Sequence, residues 1–231
     1  MMSQSRFLTR FLLVIGLFGT INIAYASNET TANHNDKIIE QLYHKLEKLP
    51  RNDMQSRITA VSAWLLGKPY LLGALGDGEN ARYDQFPLYR FDAFDCQTYV
   101  DTVLAIGLAK DAQTFKQRIN QIRYHQGLVS FTTRNHFTSL DWNQNNQNQG
   151  YLKDITLTFK NKENQPVAKM AEAYINKPGW YQQFTSVQIR IGQAGEQAVK
   201  QRLSALKQEG QNLKGSISKI PYIPLTELFT K

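Results

Sequence analysis

The chain has 231 residues, a net charge of +8, and 42% hydrophobic and 11% aromatic content; this suits one globular domain, with or without an extra lobe, and excludes a disordered chain. Its 14 Gly and 7 Pro exclude collagen-like and low-complexity classes, and no repeat of solenoid length runs through it. A single cysteine, Cys96, excludes an internal disulfide and any CxxC metal or redox motif.

Residues 1–26 carry Arg6 and Arg10, then an apolar run from Phe11 to Ile23, then Ala24-Tyr25-Ala26. This pattern reads as a secretory signal peptide cut before Ser27. The alternative is a membrane anchor, but the run is shorter than the roughly 20 residues a span needs, and Asn22 interrupts it. A periplasmic or secreted protein with no stable membrane anchor after cleavage is therefore expected. Cleavage takes both arginines and no acid with it, leaving a net charge of about +6, which favours anionic partners such as acidic wall polymers. The basic residues are scattered (Lys45, Lys48, Arg51, Arg57; Lys200, Arg202, Lys207), so solvated helix faces are favoured over a nucleic-acid groove.

Ser27 to Asn35 is polar and reads as an unstructured lead; residues 36–231 read as one domain. Ile38, Ile39, Leu42, Leu46 and Leu49 recur at helical spacing up to Pro50, and Met54, Ile58, Val61, Trp64 and Leu65 do so up to Gly67-Lys68-Pro69. Tyr70 to Asp95, with Gly73, Gly76, Gly78 and Pro87, reads as a long loop, a length that is usually functional or mobile. Cys96 to Lys110 predicts a buried helix with Asp95 as its N-cap and Tyr99, Val100, Val103, Leu104 and Ile106 on one apolar face. Asp111 to Tyr124 predicts another, with Phe115, Ile119 and Ile122 inward. Leu128–Phe131 and Ile155–Phe159 favour strands, and Asn143–Gly150 a loop. Val167–Tyr174 and Glu196–Glu209 have helical patterns. Ile217–Lys219 reads as a strand, continued by an extended stretch because Pro221 and Pro224 lack N–H donors. The fold class expected is α+β, helices packed on a small antiparallel sheet.

An odd cysteine in an exported chain either pairs between chains or serves as a free thiol. Cys96 stands where a loop ends and a helix begins, and the backbone N–H groups there favour negative charge on sulfur. By position alone, a nucleophile and a buried core cysteine are equally supported. No HExxH, GxxxxGK[ST] or GxGxxG occurs, so neither a metal site nor a nucleotide cofactor is expected.

The stretch Gly67-Lys-Pro69-Tyr70-Leu-Leu-Gly73 followed by Phe94-Asp95-Cys96-Gln97-Thr98-Tyr99-Val100 resembles the G-x-P-Y-x-x-G and D-C-S/T-x-F-V signature of the NlpC cell-wall cysteine peptidase superfamily, whose fold is papain-like. With Ile122-Arg123-Tyr124 and Arg134-Asn-His136-Phe-Thr-Ser-Leu-Asp141-Trp142, it is more narrowly similar to the N-acetylmuramoyl-L-alanine amidase-like branch, over roughly residues 55–225. The resemblance implies hydrolysis of the amide joining N-acetylmuramic acid to L-Ala, with peptidoglycan or muropeptides as partner. It makes Cys96 the nucleophile, its N–H an oxyanion donor, and Tyr70 a hydroxyl beside the thiol. Read alone, Tyr70 fits a core aromatic equally well, and Asp95 is more securely a helix cap than an acid.

A cysteine hydrolase needs an imidazole to move the thiol proton. His34 lies in the polar lead, His44 in a Lys-rich helix and His125 at a helix end. His136, between Arg134 and Asp141, is the internal candidate base; the alternative makes it a substrate-contact or structural residue. Arg134 can clamp a carboxylate and Trp142 stack on a sugar, against an ordinary ion pair and a half-buried core aromatic. Asp141 joins the same recognition wall. The superfamily places its base on a later strand in a motif like His-Val-Gly, which residues 143–231 lack. The chain thus looks C-terminally short of that sheet, and a catalytically incomplete peptidoglycan-binding fragment or pseudoenzyme is the alternative function.

Overall fold

The computed structural model describes residues 26–228. Apart from Ala26, the expected signal peptide lies outside the described residues. The described residues form an α+β structure with eight helices, α1 (Ala26–Leu46), α2 (Met54–Leu65), α3 (Cys96–Leu108), α4 (Ala112–Arg123), α5 (Asn143–Asn148), α6 (Lys177–Gln182), α7 (Glu196–Gln211) and α8 (Leu225–Leu228). Strands β1 (Lys169–Ile175) and β2 (Ser216–Tyr222) pair antiparallel, with Ala171 opposite Ile220 and Tyr174 opposite Ile217. None of the described helices is long and apolar enough to cross a membrane.

The helical half is built around α3. Its inner face packs Val103, Leu104, Ala105 and Ile106 with Ile39 and Leu42 of α1, Val61 and Leu65 of α2, and Phe115, Ile119 and Ile122 of α4. Gly107 lets α2 approach closely: a Cβ there would lie 3.0 Å from Met54 Sδ and 3.2 Å from Ile58 Cγ1. The last carbonyls of a helix lack intrahelical donors. Buried Arg57 of α2 supplies them, donating to Gly107 O at 3.1 Å, Ile106 O at 3.4 Å and Ala109 O at 2.8 Å. The helix carrying Cys96 is therefore anchored at the end opposite the thiol.

A second cluster joins Tyr83, Phe131, Tyr181, Phe184, Ile189 and Leu206, so α6, α7 and the segment between them fold against the 73–86 loop and Phe131. Short parallel pairing of Asp84 with Arg190 stitches the two.

Several expected elements differ. Residues 27–35 continue α1 upstream of Asp36 instead of forming a separate lead. Val167–Tyr174 is not helical: most of it becomes β1, because β2 offers it a full register of partners. Leu128–Phe131 forms no strand; Gln126 and Gly127 take φ of 54° and 72°, and Phe131 opens a 3₁₀ turn. Ile155–Phe159 contains the 3₁₀ turn Thr156–Thr158, started by Asp154, whose carboxylate accepts from Thr156 N at 2.8 Å. The Asn/Gln-rich loop is largely α5, held because buried Asn146 donates to Trp142 O at 2.9 Å and Ile122 O at 3.2 Å.

Candidate active site

Cys96 is the first residue of α3 and is exposed, which overturns the buried-core alternative. Asp95 precedes it as the N-cap. Its Oδ1 accepts from Thr98 N at 2.8 Å, and Thr98 Oγ1 accepts from Asp95 N at 3.0 Å, a complete capping box. Asp95 Oδ2 accepts from Gly73 N at 2.9 Å, so one carboxylate ties the helix start to a loop 22 residues earlier. The same loop runs beside the segment leading to the thiol: Leu71 N donates to Phe94 O at 2.9 Å and Phe94 N to Pro69 O at 3.1 Å. Tyr70, which bridges Phe94 through its backbone, is 69% exposed and is not a core aromatic. Leu66, Leu72 and Val100 are exposed as well, so Val100 departs from the expected inward face of α3.

The 134–142 motif is used differently from the recognition wall expected of it. Arg134 does meet carboxylates, but they belong to this chain: its Nε donates to Asp77 Oδ1 at 3.0 Å and its Nη2 to Asp84 Oδ2 at 2.9 Å. Burial alone would lower the guanidinium pKa, but the carboxylates of Asp77 and Asp84 outweigh it and hold Arg134 firmly charged. Trp142 is buried and donates its indole N–H to Asp101 Oδ1 at 2.7 Å, so no face is left for a sugar. Asp141 pairs with Lys177, and both line a cleft of about 460 Å³ with Gln144, Asn145 and Lys214.

His136 Nε2 lies 2.7 Å from Phe131 O, with the imidazole among the rings of Phe131, Trp180 and Tyr181. Burial, reinforced by the nearby charge of Arg134, pushes its pKa down to about 3, so the ring is neutral. Elsewhere, His44 Nδ1 lies 3.6 Å from Glu47 and His125 Nδ1 lies 3.3 Å from Asn145 Oδ1. Among the described residues no imidazole is hydrogen-bonded to Cys96.

Residues 60–230 match the N-acetylmuramoyl-L-alanine amidase-like family. The chain belongs to that family. A crystal structure of a protein from Legionella pneumophila str. Philadelphia 1 is 46% identical to it, with a TM-score of 0.83 over 87% of this chain and 67% of the other. An N-acetylmuramoyl-L-alanine amidase from Bacteroides uniformis is 21% identical, with a TM-score of 0.49 over 75% of this chain and 66% of the other. The chain therefore spans about two thirds of the length of each of these proteins. No curated protein matches it.

Sequence reasoning missed how this amidase-like chain braces the loop that precedes its thiol. Asp77 and Asp84 sit almost fully buried, with Tyr124 Oη donating to Asp77 Oδ1 at 2.7 Å and Arg190 pairing with Asp84. Arg123 donates to Gly76 O at 3.0 Å and Leu88 O at 3.1 Å. Asn135 Nδ2 donates to Ile122 O at 2.9 Å, so the residue after Arg134 closes the end of α4. The available signal was two aspartates in an otherwise Gly-rich loop, residues whose charge demands a partner if they turn inward. A cleft of about 630 Å³ is lined by Asp77–Tyr83, Leu88, Val129–Phe131 and Glu209 and does not include Cys96. Among the described residues no three His, Cys, Asp or Glu side chains converge to hold a metal ion.

Proposed function

We propose that the chain is a peptidoglycan amide hydrolase in which Cys96 attacks the bond between N-acetylmuramic acid and L-Ala. The observation that carries this reading is an exposed cysteine at the first position of a capped, buried helix, inside the segment that matches the family. The sulfur adds to the lactyl carbonyl carbon and the carbonyl becomes an oxyanion. The first N–H groups of a helix have no acceptor within it; Asp95 takes that of Thr98, which leaves those of Cys96 and Gln97 to face the oxyanion. The C–N bond then breaks, the L-Ala amine leaves with the proton given up by the thiol, and water hydrolyses the thioester to a carboxylic acid and the free thiol. Tyr70, on the neighbouring exposed loop, contributes its hydroxyl at the rim. An NlpC-type, papain-like arrangement is the fold this chemistry fits, and the leader at residues 1–26 suits a periplasmic or secreted protein.

One observation favours a second reading: no imidazole is hydrogen-bonded to Cys96 among the described residues, so a peptidoglycan-binding chain without turnover is its competitor. Muropeptides digested with wild-type full chain and with Cys96→Ala, analysed by mass, separate the two. Stem peptides released by the wild type alone support the hydrolase. Equal release by both proteins overturns it. Retention on sacculi with no cleavage by either establishes the binding reading.

A further inference from the structure

Nucleophilic attack depends on placing the reacting atom to within fractions of an ångström, and a solvent-facing helix start frays unless something holds it. For Cys96 the holding group is Asp95, whose two oxygens are divided between Thr98 N and Gly73 N. Gly73 therefore has to be held in turn. Its φ of +67° is a left-handed conformation, and its carbonyl accepts from Arg190 Nη1. A Cβ at Gly73 would lie 3.2 Å from that nitrogen, so the loop and the guanidinium are in close contact.

Arg190 is itself fixed from every side. Its Nη2 donates to Leu75 O at 3.0 Å and pairs with Asp84, the aspartate shared with Arg134. Its guanidinium lies 3.9 Å from the centroid of the Phe86 ring. Its backbone N–H donates to Tyr83 O at 2.9 Å and its carbonyl accepts from Gln85 N at 2.6 Å.

We propose that Arg190 is a positioning residue for Cys96, acting through the Gly73 backbone and the Asp95 carboxylate on the first turn of α3. It rests on the reading of Cys96 as the nucleophile. One fork grips two carbonyls of the Tyr70–Gly76 loop and one carboxylate, which a single ammonium cannot do. The C-terminal part of the chain, around the second core cluster, thereby fixes a thiol that lies 94 positions earlier in sequence.

The test uses the full chain and the variants Arg190→Lys and Arg190→Gln. Cys96 is alkylated with anionic iodoacetate and neutral iodoacetamide, and amide exchange is followed at Thr98 and at Phe115. Arg190→Lys keeps a positive charge for Asp84, and so separates the positioning role from the ion pair. In both variants the ratio of the iodoacetate to the iodoacetamide rate falls about fivefold, the scale of a lost helix cap, because the N–H groups that attract the anion lose their orientation. Exchange at Thr98 speeds up while exchange at Phe115 does not. An Arg190 that only stabilises the fold would accelerate both amides together and leave the ratio unchanged; that result in folded Arg190→Lys overturns the proposal. Should the variants fail to fold, the unaltered protein decides: Gly73 and Thr98 amides open together, and independent opening overturns the proposal. Alkylation requires no turnover, so absent muropeptide cleavage with the expected ratios removes the hydrolase and leaves Arg190 in its role.

Discussion

Two helices of this protein start with nearly the same words. Asp95-Cys96-Gln97-Thr98 opens α3 and Asp111-Ala112-Gln113-Thr114 opens α4. Both form complete capping boxes: Asp Oδ1 accepts from Thr N at 2.8 Å and 2.7 Å, and Thr Oγ1 from Asp N at 3.0 Å and 3.1 Å. The difference lies in the spare bonding capacity. Asp111 spends it locally, accepting from Thr114 Oγ1 at 2.7 Å, whereas Asp95 reaches Gly73 in a distant loop. Beyond the cap, α3 is buried without interruption from Asp101 to Gly107, while α4 buries only Phe115, Ile119, Ile122 and Arg123. The same local signal thus begins an ordinary amphipathic helix in one place and a braced thiol in the other. Tertiary contacts of the cap residue, not the cap itself, make the distinction.

The strongest way to break that distinction is to release the loop that Asp95 holds. Arg134→Met leaves Asp77 and Asp84 buried with half their positive partners, since Tyr124 is neutral and Arg190 reaches only Asp84. Removing one side of a buried ion pair costs about 3–5 kcal/mol, because the remaining charge stays out of water unpaired. Urea unfolding of the variant should lose that amount. A loss below about 1 kcal/mol, the range of surface pairs, would mean that this cluster does not brace the loop.

A second contrast lies one turn further along. Asp101 in α3 occupies the place that Gln117 has in α4. It is buried and accepts from Trp142 Nε1 at 2.7 Å and Gln97 Nε2 at 2.9 Å, with Arg123 Nε 3.9 Å away. Burial pushes its pKa up to about 6, against the pull of Arg123 and both hydrogen bonds. A carboxyl whose folded pKa is raised binds more protons when folded than when unfolded, so its stabilising share is lost as pH rises from about 4 to about 6. Asp101→Asn has no such dependence and makes α3 resemble α4. Over that window the wild type should lose about 3 kcal/mol relative to the variant, measured as unfolding free energy. Parallel pH profiles for the two proteins would show that the Asp101 charge is not held against burial.

The start of α3 was legible because its signal is local: Asp95 caps within four residues, as Asp53 and Asp111 also do at α2 and α4. The apolar faces of α2 and α4 followed from spacing. The strand β1 was not legible, since Met170, Ala171, Ala173 and Tyr174 fit either period until Ile217 and Ile220 of β2 stand opposite. At the candidate site, Cys96, the cap and the long loop from Tyr70 could be read from motif and position, but not that Tyr70 faces solvent. The inward turn of Trp142 could not, because its partner Asp101 is 41 residues away, and Arg134 finds Asp77 across 57. Those residue types carry the chemistry of a binding wall and of a buried brace equally well; only the distant carboxylates decide between them.

The smallest effect tests the opening contrast directly. Asp95→Ala removes a cap and the bond to Gly73 together, and should lower stability by about 2 kcal/mol, the sum of a helix cap and a modest hydrogen bond. Asp111→Ala removes only the local box, and its melting temperature should fall less. Asp111 has its carboxyl pKa lowered by hydrogen bonds from Thr114, so its contribution is present above the ordinary carboxylate range and fades as pH falls through its folded value. The alkylation rate of Cys96 should change in Asp95→Ala and stay at the wild-type value in Asp111→Ala. If both variants lose equal stability and leave the thiol equally reactive, the bond to Gly73 contributes nothing beyond an ordinary cap. The two helix starts would then differ only in bearing Cys96 rather than Ala112.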